Sequence, residues 1–119
     1  MMPGSDCVGC HATTAGAPPL LFGGTLYREL HEADDCTGVE GTRVRVTDND
    51  GNVFNAVTNE AGNFYVLADA GSLVAPNRAV LFGPDGGIRA MVSPQDAVSC
   101  NGCHTVQGNS AAPGRMQSP

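Results

Sequence analysis

The chain has no lysine and no tryptophan among its 119 residues. Fixed positive charge comes from Arg28, Arg43, Arg45, Arg78, Arg89 and Arg115 alone. They face twelve acidic side chains, for a net charge of −6. A surface of that sign repels polyphosphate, which argues against nucleic acid and anionic membrane surfaces and admits a basic docking partner. Four phenylalanines and two tyrosines are all the aromatic residues, so the core expected for this one-domain length is thin. No run is long and apolar enough to span a bilayer. The opening MMPGSD lacks the apolar segment of a secretory signal.

What is present is concentrated at the two ends. Four of five cysteines and two of three histidines fall in CVGCH, residues 7–11, and CNGCH, residues 100–104. C-x-x-C-H is the attachment signature of c-type haem. Two thiols add across the vinyl groups of one porphyrin, and the adjacent His ligates the iron from the same turn. Cys7, Cys10 and His11 would hold one covalently attached haem c, and Cys100, Cys103 and His104 a second. The alternatives are a redox dithiol or a zinc site shared by four cysteines. A thioredoxin-like dithiol needs a βαβ unit, which the chain does not show. Zinc leaves the repeated His unexplained. Two haems would also supply the apolar area that the composition lacks, so both ends are expected to be poorly folded without them. Covalent haem attachment takes place outside the cytoplasm, which implies a periplasmic or extracellular protein whose signal has been removed.

Two irons have four axial positions. His11 and His104 fill the proximal ones, and His31, in the polar loop HEADDC, is the remaining imidazole and a candidate distal ligand. The C-terminal haem is favoured as its site. One iron must then be His/non-His or open. Met2, Met116 and Met91 are the sulfur candidates, with Met1 and the N-terminal amine behind them. Met91, opposite Ile88 and Ala90 in IRAMV, is expected to point away from the core and to serve packing more than ligation. Cys36 reads as a half-buried small apolar residue, or as an intermolecular disulfide partner. The acidic groups Glu32, Asp34 and Asp35, and Asp48 and Asp50, read as solvated turns rather than calcium ligands.

Between the motifs the chain reads as strands. GTRVRVTD alternates, with Val44 and Val46 on one face. DNDGN, NEAG and PDGG are turns that separate it from NVFNAVT, NFYVLA, RAVLFG and IRAMV. FGGTLYREL is a first strand with a glycine bulge or bend. This pattern implies a mainly β fold, an antiparallel β-sandwich over 21–93, flanked by irregular haem-binding segments 1–20 and 94–119, the latter with a short helix at its motif. The stretch GVEGTRVRVTDNDGNVFNAVTNEAGNFYV resembles the carboxypeptidase-regulatory-like, prealbumin-like group of sandwich domains. That group contains binding and spacer modules, so the resemblance implies a fold and no chemistry. With HEADDC and CNGCHTVQGNSAAPGR added, the chain resembles small exported dihaem cytochromes. This likeness implies that His31 reaches back to the C-terminal haem. In plan, a haem motif at each end resembles extracellular cytochrome nanowire subunits.

The reading that follows is an electron carrier and not an enzyme, exchanging electrons with redox proteins or extracellular acceptors. It is expected to polymerise head-to-tail into a haem-stacked extracellular filament. The alternatives are a soluble periplasmic dihaem shuttle, or a small haem enzyme or sensor with an open iron.

Overall fold

The computed structural model describes residues 2–119; Met1 and the N-terminal amine lie outside the described residues. The elements run α1 (Cys7–Thr13), β1 (Leu20–Tyr27), β2 (Arg43–Thr47), β3 (Val53–Val57), β4 (Asn63–Leu67), a 3-10 turn (Ala68–Ala70), β5 (Arg78–Phe82), β6 (Ile88–Ala90), α2 (Cys100–Cys103) and β7 (Met116–Gln117). Strand outweighs helix. One sheet has the order β4-β1-β7 and the other β3-β2-β5-β6. The second is antiparallel throughout, while β7 joins β1 in parallel.

The alternation read in the sequence decides which faces turn inward. Val44 and Val46 of β2 and Ala79 and Leu81 of β5 are buried. They meet Phe22 and Leu26 of β1, Phe64 of β4 and Met116 of β7 in one core cluster drawn from both sheets. Each large side chain so buried contributes about 1.5–3 kcal/mol. On the outer face, Arg43 and Arg45 stack over Phe82, 4.2 and 4.8 Å from its centroid. The loops follow turn chemistry. Asp48 accepts from the Asp50, Asn52 and Val74 amides and from Asn52 Nδ2, which uses both its oxygens. Gly51 takes φ +82° in the same turn. Asp34 is similarly occupied by the Cys36 amide and the Thr37 hydroxyl. Asp34 and Asp48 therefore shape turns, but Asp48 does so buried where a solvated carboxylate was expected, and Asp35 instead pairs with Arg115.

β1 is buried on both of its faces, and this positions the ends of the chain. Phe22 and Leu26 point into the core. Gly23, Thr25 and Tyr27 are covered by the N-terminal segment and the loop after β1: Gly4 N–H donates to Thr25 Oγ1, Tyr27 OH donates to the Asp35 carbonyl, and Cys7 lies against Gly23.

Four local expectations are corrected. Residues 7–13 form a helix where an irregular turn was expected, because Asp6 caps its first turn by accepting from Gly9 N–H at 2.9 Å. The tail is not irregular throughout. Met116 and Gln117 pair with Leu26 and Tyr27, and Ser118 N–H donates to the Tyr27 carbonyl. The irregularity in β1 falls between Leu20 and Phe22, ahead of the glycines. Cys36 is exposed rather than half-buried.

Candidate haem-binding sites

In each motif the spacing is helical. Cys7, Cys10 and His11 stand at i, i+3 and i+4, so one face of α1 carries both sulfurs and the imidazole. α2 begins at Cys100 after its N-cap Ser99 and ends at Cys103, with His104 as its C-cap.

The two helices start from one junction. Asp6, the N-cap of α1, also accepts from the hydroxyl of Ser99 at 2.5 Å, 93 residues away. Asn101, inside the second motif, is buried between them. Its Oδ1 accepts from Thr25 N–H at 2.9 Å, and its Nδ2 donates to the Ser5 carbonyl at 2.8 Å and Thr25 Oγ1 at 3.1 Å, with Cys7 Sγ at 3.8 Å. The first bond replaces a missing strand partner. Gly23 N–H bonds the Val98 carbonyl and Leu26 pairs with Met116, and Asn101 fills the gap on β1 where α2 leaves the edge. The motifs therefore lie side by side across β1 and not at opposite ends of the molecule. Glycine permits this approach. A Cβ at Gly24 would come within 2.8 Å of both Cys100 Cβ and Phe64 Cζ, and one at Gly23 within 3.5 Å of Cys7 Cβ.

All three imidazoles are held in the same way. Nδ1 of His11 lies 2.8 Å from the Pro18 carbonyl, that of His104 2.9 Å from the Gly114 carbonyl, and that of His31 2.7 Å from the Val106 carbonyl. A carbonyl only accepts, so in each ring Nδ1 carries the proton and the Nε2 lone pair is left for another partner. That is how a metal-ligating histidine is oriented.

A cavity of about 350 Å³ borders the second motif. Cys100, Cys103 and His104 line it together with Leu81, Met91 and Met116. Its mixture of apolar wall, two thiols and an imidazole fits the edge of an apolar macrocycle. At the first motif Cys10 and His11 are accessible, while Cys7 is 4% exposed. Burial raises the Cys7 thiol pKa, and burial with the neighbouring Cys7 pushes that of Cys100 up to about 12. Both thiols are thus kept neutral by the fold. Among the described residues no three His, Cys, Asp or Glu side chains converge as they would around a metal ion.

The remaining candidates fall as follows. His31 is exposed and tied to the loop after the second motif. Met91 lines the cavity instead of pointing away from the core, its amide donating to the Ala79 carbonyl and holding it against β5. Met116 is not on a swinging tail; it is core, 7% exposed. Met2 is 76% exposed. Reading the sequence missed Asn101, although a polar residue where the first motif has Val8 was a visible signal. No helix among the described residues is long and apolar enough to cross a membrane. Comparison with protein-family models, curated proteins and solved structures yields no match in any of the three.

Proposed function

We propose that this chain is a dihaem c-type cytochrome carrying electrons outside the cytoplasm, its two sheets forming a sandwich of the prealbumin-like kind. The observation that carries the reading is the anchoring of all three imidazoles through Nδ1, with each Nε2 free, two of them directly after a C-x-x-C pair. Cys7 and Cys10 would hold one haem with His11 as proximal ligand, and Cys100 and Cys103 the other with His104. Bound haem iron supplies one-electron redox chemistry. The protein supplies the spacing: Asp6–Ser99 and Asn101 lock the two motifs together, so the attached groups become close neighbours along an electron path. Cys7 is shielded in the closed fold, so its attachment would precede closure, while Cys100 lines the cavity.

The filament form is preferred to the soluble shuttle. Two motifs joined at one junction would bring their haems close enough to pass electrons on within one copy, as a continuous row requires. Haem-stained gels and intact mass should give two covalent haems per chain, falling to one in Cys103→Ser. Negative-stain microscopy of the same sample distinguishes filaments from uniform small particles. A chain matured in a haem-attaching host that carries no covalent haem overturns the proposal.

A further inference from the structure

The sheet β3-β2-β5-β6 ends at β3 on one side, and the hydrogen-bond register fixes what that edge presents. Asp48 N–H donates to the Asn52 carbonyl, and Thr58 N–H donates to the Thr42 carbonyl. An antiparallel ladder alternates bonded and non-bonded pairs. Between these two bonded pairs, β2 therefore takes the backbone of Phe54 and Ala56, and the N–H and C=O groups of Val53, Asn55 and Val57 point outward. Among the described residues no other segment bonds to those backbone groups. Such an edge is normally blunted by a charge, a proline or a bulge. VFNAV has no charge and no proline, and its five pairs with β2 run without a shift. Val53 and Val57 are 52% and 61% exposed.

Positive charge is gathered beside this edge. The four strands of the sheet carry Arg43, Arg45, Arg78 and Arg89 and no carboxylate. The register sets Arg43 opposite Val57, Arg45 opposite Asn55, and Thr47 opposite both Val53 and Arg78, so three of these arginines share the outer face with the edge side chains. The one ion pair among the described residues is Arg115–Asp35, so Arg43, Arg45 and Arg78 have no carboxylate partner. Two of them are held in place. Arg43 and Arg45 stack over Phe82. Arg43 Nη1 also donates to Asn55 Oδ1 at 3.1 Å, which brings its charge to β3 itself.

We propose that the β3 edge binds an extended acidic peptide segment of a partner protein, added as a fifth strand. A peptide backbone matches the outward donors and acceptors of Val53, Asn55 and Val57. Its side chains opposite them fall on the arginine face, where carboxylates gain charge-assisted hydrogen bonds. A second copy of β3 fits less well. Antiparallel pairing centred on Asn55 sets Val53 against Val57, but it brings the Arg43 guanidinium of each copy to the same two-fold axis. The same register sets Asp50 of one copy level with Glu60 of the other, both exposed carboxylates. A polyanion without a peptide backbone meets the arginines and leaves the edge unpaired.

The test uses the full chain as purified, separated by size into single chains, and the synthetic probe acetyl-Glu-Val-Glu-Val-Glu-Val-Glu-amide. Calorimetry should show the probe binding and a Lys-Val counterpart not binding. Amide exchange read by NMR should slow at least ~10-fold at Val53, Asn55 and Val57, and change less at Phe54 and Ala56, which β2 already protects. The double variant Arg43→Gln, Arg45→Gln should stay folded by circular dichroism and bind about tenfold more weakly. A probe N-methylated at its glutamates, whose N–H groups would face β3, should not bind wild type, while one N-methylated at its valines should. The proposal is overturned if the probe does not bind, if the Lys-Val or glutamate-methylated probe binds equally, or if binding leaves the three amides unchanged. Polygalacturonate or single-stranded DNA binding as tightly as the probe would mean a general anion surface and would overturn it too. So would a dimer of the free chain that protects the same three amides, since a second copy would then own the edge.

Discussion

Asn101→Ala tests the junction that brings the two ends of the chain together. The substitution removes the acceptor of the buried Thr25 N–H and the donor to the Ser5 carbonyl. Thr25 Oγ1 keeps Asn63 and Gly4 as partners. A buried amide left unpaired costs about 1–3 kcal/mol, and the lost bond at Ser5 adds about 1. The sum, about 2–4 kcal/mol, is a large part of the 5–15 kcal/mol typical of a domain. For a chain of this size it corresponds to a fall in Tm of about 8–16 °C, at about 4 °C per kcal/mol. Thermal and urea unfolding followed by circular dichroism would measure it, with Asn109→Ala as the control. Asn109 makes one exposed contact of 3.4 Å with the Gly102 carbonyl and should stay within about 0.5 kcal/mol of wild type. Equal stabilities for the two variants would refute the reasoning, because Asn101 would then not be closing the β1 edge.

Four further outcomes follow from the same packing. Gly24→Ala should destabilise by about 1–3 kcal/mol, because the new methyl meets Cys100 and the Phe64 ring. Gly102→Ala, whose Cβ would come no closer than 3.9 Å to Ser99, should be neutral or stabilising in the same unfolding assay. Asp6 is held below the usual carboxylate range by the Ser99 hydroxyl and then the Gly9 amide. A carboxyl depressed in the folded state stabilises above its unfolded pKa and loses that contribution as pH falls through the folded one. Asp6→Asn still caps but does not titrate. The difference in urea midpoint between wild type and Asp6→Asn should therefore be widest near pH ~6 and shrink toward pH ~3; a constant difference would contradict the assignment. In chain expressed without haem attachment, iodoacetamide should label the exposed Cys10 and Cys36 first and, if the ends close as in the described fold, the buried Cys7 at least ~100-fold more slowly. Equal labelling, read by peptide mass, would mean that the ends do not close without haem.

Local chemistry was legible wherever a short stretch decides its own structure. Val44 and Val46 alternate with arginines and turn into the core. DNDGN closes through Asp48 and a positive-φ glycine, as a turn of that composition should. The two C-x-x-C-H motifs, the shortage of positive charge and the odd count of imidazoles are likewise properties of the chain read in order. The helix at 7–13 was within reach too, since Asp6 before the motif is an N-cap signal.

Other features depend on which segments meet, and no local pattern encodes that. Ser99 reaches Asp6 across 93 residues, and Asn101 becomes a strand partner only because α2 departs from the edge of β1 at that point. Met116 reads as tail and is core, because β7 pairs with Leu26 in parallel. Met91 reads as outward and lines the cavity of the second motif. The sequence by itself determined the chemistry available: four paired thiols, three imidazoles and an acidic surface. Only the tertiary structure decided that the two motifs share one junction. Spacing along a chain sets what a helix face can present, but the partners of that face are set by long-range packing around β1.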